Sequence, residues 1–193
     1  MDVAVIGTGF IGGTLGRSLA GAGHRVTFGS RHPDNDRAAG ETAASLASIA
    51  EALAAADSVI LALPGPAVPG FADTFAHGLA GKLVIDATNR MGDLVANSRA
   101  ALPETVRYAR AFNSVGGESM ADPVFEGIPA DMFFSAPEDD RSTVATVIEG
   151  VGMRPVYVGA DQEALLDGLA RLWLALAAGQ GRGRRLAFRL LAG

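Results

Sequence analysis

Val3-Ala4-Val5-Ile6-Gly7-Thr8-Gly9-Phe10-Ile11-Gly12 opens the chain with four uncharged apolar residues, then glycines spaced G-x-G-x-x-G, then a helical pattern over residues 11–22. An apolar run without alternation suits a strand buried on both faces of a parallel sheet. The glycine spacing alone is a weak signal, but between a strand and a helix it has the setting that a dinucleotide-binding turn requires. Gly7 would permit the tight turn, Gly9 would let the backbone approach a pyrophosphate, and Gly12 would allow the helix to pack close to the strand. The phosphates would rest on free N–H groups at the positive end of that helix. Thr8, Phe10 and Ile11 are the other residues of this turn and complete the expected pyrophosphate site.

Outward from that turn, short apolar runs alternate with helical patterns, the signature of βαβ units. Strands are predicted at residues 2–6, 25–29, 58–63, 83–87, 106–111, 131–135 and 155–158. Helices are predicted at 11–22, 42–55, 67–79, 138–151 and 161–178. Ser48 and Glu51 have the spacing of a capping box, although they fall inside the predicted 42–55 helix, and Ser135 is placed to cap the 138–151 helix. The expected fold is α/β, a Rossmann-type doubly wound parallel sheet with a short C-terminal helical appendage. Residues 1–159 would form the dinucleotide-binding domain, and 160–193 a helix and tail packing on it.

The end of the second strand bears on which dinucleotide binds. A carboxylate there accepts from the ribose 2′-hydroxyl of NAD and repels a 2′-phosphate. This chain has Gly29-Ser30-Arg31-His32, whose hydroxyl and guanidinium can donate to a phosphate. NADP(H) is the expected cofactor, with Ser30 and Arg31 at the 2′-phosphate.

Composition limits the remaining chemistry. The 193 residues carry a net charge of −5, and among the cationic residues only Lys82 is not an arginine, so nothing globally basic invites nucleic acid. The absence of cysteine excludes thiolate chemistry and suits a reducing cytoplasm. We read no signal peptide and no membrane span. His24, His32 and His77 sit in surface turns or loops, no metal cluster is evident, and no base stands near the expected nicotinamide. The strand ends offer neutral polar groups, Thr88-Asn89 after Asp86 and Asn113-Ser114 after Phe112. Asn89 and Asn113 could orient a nicotinamide carboxamide or an acceptor ring, and are equally credible as turn formers. Hydride transfer between two aromatic carriers needs apposition and exclusion of water rather than a protein acid.

The 161–178 helix places Leu165, Leu166, Leu169, Leu172, Trp173 and Leu176 on one face, and Asp167 and Arg171, four apart, on the other, where they can pair. The apolar face would pack on its own core or also build a dimer. A flexible basic segment, Gly179 to Arg185, and an apolar end over 186–191 follow.

These residues resemble the NADPH-dependent coenzyme F-420 reductases. The resemblance lies in the glycine turn, in Gly29-Ser30-Arg31, Ala62-Leu63-Pro64, Asp86-Ala87-Thr88-Asn89 and Ala111-Phe112-Asn113, and in the tail from Gly181 to Leu191. The resemblance implies direct hydride transfer between NADPH and the deazaflavin coenzyme F-420 as co-substrate. It implies that Thr8 to Ile11 line the pyrophosphate, that Ser30 and Arg31 hold the 2′-phosphate, and that Leu63 and Pro64 border the adenine-side ribose and the diphosphate. It further implies that the C-terminal helix and tail wall the deazaflavin pocket and contribute to a homodimer. Archaeal members tend to carry a lysine shortly after the Ser-Arg pair; here Arg37 is the nearest substitute. The alternatives are a small imine, carbonyl or flavin reductase and a non-catalytic NADP(H)-binding sensor. Neither nucleic acid nor membrane is an expected partner.

Overall fold

The computed structural model of the chain describes residues 1–40, 42–89 and 97–191. Six parallel strands form the main sheet: β1 (Asp2–Ile6), β2 (Arg25–Ser30), β3 (Ser45–Ser48), β4 (Ser58–Leu61), β5 (Leu83–Asp86) and β6 (Arg107–Arg110), in the order 3-2-1-4-5-6. That order reverses direction at β1, so the crossovers leave on opposite sides and open a crevice beyond the strand C-termini.

Alternation along each strand feeds two cores. Val3, Val5, Ile60 and Ile85 face one layer, with Leu15 and Leu19 of α1 (Phe10–Gly21). Ala4, Ile6, Val59, Leu61 and Val84 face the other, with Leu53 of α2 (Ile49–Ala54) and Phe71 of α3 (Val68–Leu79). Burial on both faces explains why these strands read as unbroken apolar runs.

After β6 the chain forms α4 (Gly117–Ala121) and a short hairpin of β7 (Val124–Phe125) and β8 (Ile128–Pro129). A parallel pair follows, β9 (Asp131–Phe134) and β10 (Arg154–Tyr157), with α5 (Arg141–Gly150) between them. A single antiparallel bridge, Arg110 to Ser135, joins this pair to the edge of the main sheet. The last helix, α6 (Glu163–Leu174), runs into a π-helical turn at Ala175–Gly179.

Three of the expected features differ in the structure. The predicted helix at 42–55 is half strand: Ser45–Ser48 pairs with Thr27–Ser30, and the helix starts only at Ile49. The Ser48–Glu51 capping box is therefore real and marks the switch, with the Ser48 hydroxyl accepting from Glu51 N–H and Glu51 accepting from Ser48 N–H. The expected Ser135 cap fails, because Pro137 starts a 3-10 turn over Glu138–Asp140 and the Ser135 hydroxyl instead accepts from Gln162 N–H. Asp167 does not pair with Arg171 on the surface; it is buried against Arg110 of β6.

The basic segment after α6 is tied down rather than free. Arg184 pairs with Glu118, Arg185 with Asp122, and the Trp173 indole N–H donates to Leu186 O at 2.8 Å. Beyond it, Phe188 bridges to Asp131. The last two residues of the expected 160–193 appendage lie outside the described residues.

Candidate functional site

A cleft of about 1290 Å3 runs along the C-terminal ends of β2, β1, β4 and β5. Gly7, Thr8, Gly9, Phe10 and Ile11 lie along it, with Ser30 and Arg31 toward β2, Leu63 and Pro64 after β4, and Asn89 after β5. The topology thus gathers the expected residues into one groove, with the exception of Gly12. Gly12 is buried behind the turn, where an added Cβ would stand 1.8 Å from Gly7 O. Its role is close packing of helix on strand.

Gly7 has φ +109°, a left-handed conformation that side chains avoid, and a Cβ there would meet Ala62 O at 2.5 Å. Gly9 is different, since a Cβ would meet no protein atom within 4 Å. Packing does not require a glycine at that position, whereas a phosphate approaching the backbone would. Gly9 is also the N-cap of α1, with no side chain capping the helix and no acidic residue in its first turn. The positive helix end is left for an anion. These features fit a pyrophosphate.

At the β2 end the structure adds a residue that the sequence reading missed. A 3-10 turn over Pro33–Asn35 folds the chain back and brings Asp36 to the strand end. Ser30 Oγ donates to Asp36 Oδ2 at 2.8 Å and accepts from His32 N–H at 3.1 Å, while Ala38 N–H donates to Asp36 Oδ1 at 3.0 Å. Burial works to raise the Asp36 carboxyl, but hydrogen bonds from Thr8, Ser30 and the backbone of Ala38 and Arg37 outweigh it and hold the group below the usual carboxylate range. Asp36 is therefore ionised at neutral pH. Arg31 and Arg37 line the same end, exposed and in no ion pair with a described residue. The sequence rule inspects the strand end itself; here the acid returns to it six residues later, through a proline-started turn.

The opposite end is neutral. Arg31, His32, Asp36 and Arg37 are the titratable groups lining the cleft among the described residues, and all belong to the β2 end. At the β5 end Asn89 is held by the protein: its Nδ2 donates to Asn113 O at 3.0 Å, and its Oδ1 accepts from Arg110 Nη2 at 3.1 Å. Arg110 is fully buried and donates also to Thr88 O and Asp86 O, and twice to Asp167 Oδ1, at 3.1 and 2.8 Å. Asp86 in turn accepts from Thr88 N–H, Ser98 N–H and the Tyr108 hydroxyl. Burial first, and then the neighbouring Asp86 carboxylate, push the Tyr108 phenol far above its ordinary value, so it stays a donor. This network runs from α6 through the sheet to the cleft.

Asn113 does not reach the cleft. Its Nδ2 donates to Leu166 O, which fixes α6 to the end of β6. His24 is half-buried at the far end of the sheet, and His77 lies on α3 rather than in a loop; neither lines the cleft. Among the described residues no group of three or more His, Cys, Asp and Glu side chains could hold a metal, and no helix is long and apolar enough to cross a membrane.

Residues 2–90 match the model of the family described as NADP oxidoreductase, coenzyme F420-dependent. No curated protein matches the chain. Among solved structures, the fold is similar to an Arthrobacter sp. FB24 protein described as an F420-dependent NADP reductase, with a TM-score of 0.79, 23% identity and both chains covered in full. It is also similar to a Sinorhizobium meliloti protein, with a TM-score of 0.70, 21% identity, and 100% and 96% of the two chains covered. An imine reductase from Streptomyces aurantiacus superposes with a TM-score of 0.73 and 21% identity; the match covers 94% of this chain and 64% of that one. At such identities the structural likeness speaks for the fold, a Rossmann-like six-stranded parallel sheet. The strand, glycine turn, Ser-Arg strand end and β5 terminus all fall inside residues 2–90, the segment that is similar to the coenzyme F420-dependent NADP oxidoreductase family.

Proposed function

We propose that the protein transfers a hydride directly between NADPH and the deazaflavin coenzyme F-420. The observation that carries this reading is the polarity of the cleft: its charged groups gather at the β2 end, while the Asn89 end has no titratable group among the described residues. A carbonyl or imine reduction calls for a proton donor beside the reacting carbon. Hydride exchange between two ring systems calls only for alignment and a dry contact.

In this reading the dinucleotide lies along the groove, its pyrophosphate over Thr8 to Ile11 and the start of α1. Ser30 and Arg31 stand at the 2′-phosphate, Leu63 and Pro64 flank the ribose and diphosphate, and Asn89 faces the nicotinamide. The nicotinamide supplies the hydride; the protein binds, orients and excludes water. Phe10, 57% exposed beside Gly117 of α4, offers an apolar surface on which an acceptor ring could stack.

We further infer that 160–193 belongs to the same domain as 1–159, and that the protein works as a homodimer in the cytoplasm. On α6, Leu165, Leu169, Leu172 and Leu176 recur at spacings of four, three and four, and Leu165 and Leu172 are exposed. Such a seam suits a second copy of the same helix.

The test is to mix the protein with NADPH and oxidised F-420 and follow the visible band of the deazaflavin. Its loss at an enzyme-like rate supports the reading. Retained NADPH binding without turnover of any deazaflavin, flavin or imine refutes it and leaves a sensor.

A further inference from the structure

The carboxylate at the β2 end changes what the adenosine pocket can accept. Ser30, 8% exposed, has one hydroxyl proton, and that proton is directed at Asp36 Oδ2. Its oxygen already accepts from His32 N–H. The hydroxyl therefore has no proton to offer a phosphate unless it breaks from Asp36. The Asp36 carboxylate is fixed on both oxygens, by Ser30 Oγ and by Ala38 N–H, and it lines the cleft. Each oxygen keeps lone-pair capacity for a further donor.

The cations at this end are held differently. Arg31 and Arg37 are exposed, and neither is in an ion pair with a described residue. Ordering such long side chains on a phosphate costs rotamer entropy, whereas the carboxylate is already in position. The pocket thus combines a preorganised acceptor, suited to a ribose 2′-hydroxyl, with two exposed donors, suited to a 2′-phosphate.

From this juxtaposition we propose that Asp36 makes the adenosine end bind the unphosphorylated dinucleotide as well, so that NADH is a second hydride donor for this protein. With NADH the 2′-hydroxyl donates to Asp36. With NADPH, Arg31 and Arg37 close on the phosphate against the repulsion of the same carboxylate. Asp36 is a selectivity residue that lowers the preference for the phosphorylated coenzyme. The proposal rests on the cleft being a dinucleotide site, but not on the identity of the acceptor.

Titrations of NADPH and NADH against wild type, Asp36→Asn and Asp36→Ser, each checked for a cooperative thermal transition, test it. Wild type is expected to favour NADPH by no more than about tenfold. Removing the charge is expected to tighten NADPH and weaken NADH, raising the NADPH/NADH affinity ratio by about tenfold or more, which corresponds to about 1.4 kcal/mol. A ratio unchanged within about twofold in both variants would make Asp36 a turn-former only and overturn the proposal, as would a wild-type preference for NADPH above about tenfold. If wild type binds neither nucleotide, the dinucleotide reading falls together with the proposal. If it binds both and only the ratio fails to move, that reading stands and the proposal alone falls. The wild-type ratio decides the matter even if a variant does not fold.

Discussion

Replacing Asp167 with alanine should be far more costly than its place on a surface-patterned helix suggests. Its carboxylate accepts from Arg110 Nε and Nη2 on one oxygen, and from Asn97 N–H and Nδ2 on the other. Asp167→Ala removes the acceptor from all of these donors, and Arg110 is 0% exposed. Breaking a buried ion pair by deleting one partner costs about 3–5 kcal/mol. Arg110 keeps Thr88 O, Asn89 Oδ1 and the Asp86 carboxylate, so the lower end, about 3 kcal/mol, applies. For a chain of this length each kcal/mol moves the melting midpoint by about 2–4 °C, which gives a fall of about 6–12 °C. Arg171 is exposed, and Arg171→Ala should stay within about 0.5 kcal/mol, or about 2 °C. Differential scanning calorimetry of the two variants is the assay. Equal, small shifts would mean that Asp167 lies on the surface with Arg171 after all, and would refute the buried network.

Gly12→Ala puts a methyl group where Gly7 O now stands, 1.8 Å away, so the turn must open; NADPH binding should weaken by about a hundredfold or more, and unchanged affinity by titration would refute the tight-turn geometry. Arg31→Ala should weaken NADPH by about tenfold or more while NADH changes by less than about threefold, and equal losses for both would remove the phosphate role of Arg31. Burial works to raise the Asp131 carboxyl, but Arg154, Leu190 N–H and Arg189 together depress it, so the folded state holds the ionised form. Its contribution is complete above the ordinary carboxylate range and is lost as the pH falls through the depressed value. The difference in melting temperature between wild type and Asp131→Asn should therefore shrink on acidification below that range; a difference independent of pH would contradict the assignment.

The parallel sheet was legible because its strands are buried on both faces and read as apolar runs, and because the glycine turn sits between a strand and a helix. The β3 strand was not. Ser45-Leu46-Ala47-Ser48 carries no β-branched or aromatic residue and becomes a strand by pairing with the edge of β2. The capping box lay in plain view but gained meaning only once the helix was known to begin at Ile49. The site divided in the same way. Gly7 to Ile11, Ser30, Arg31, Leu63, Pro64 and Asn89 are local to strand ends, so spacing located them. Asp36 returns through a turn, and Asn89 is held by Arg110, which is in turn held by Asp167, 57 residues further along the chain. No local pattern encodes a contact of that range. The face of α6 that carries Asp167 was read as solvated because an acid and a base four apart usually are; the burial of Arg110 overrode that rule.

Deuterium tracing tests the central claim most directly. Turnover of NADPH labelled at the transferable position of the nicotinamide, in ordinary water and with oxidised F-420, should deliver the label intact to the reduced deazaflavin. Loss of the label to solvent, or reduced deazaflavin without it, would contradict direct transfer in a dry, aligned cleft.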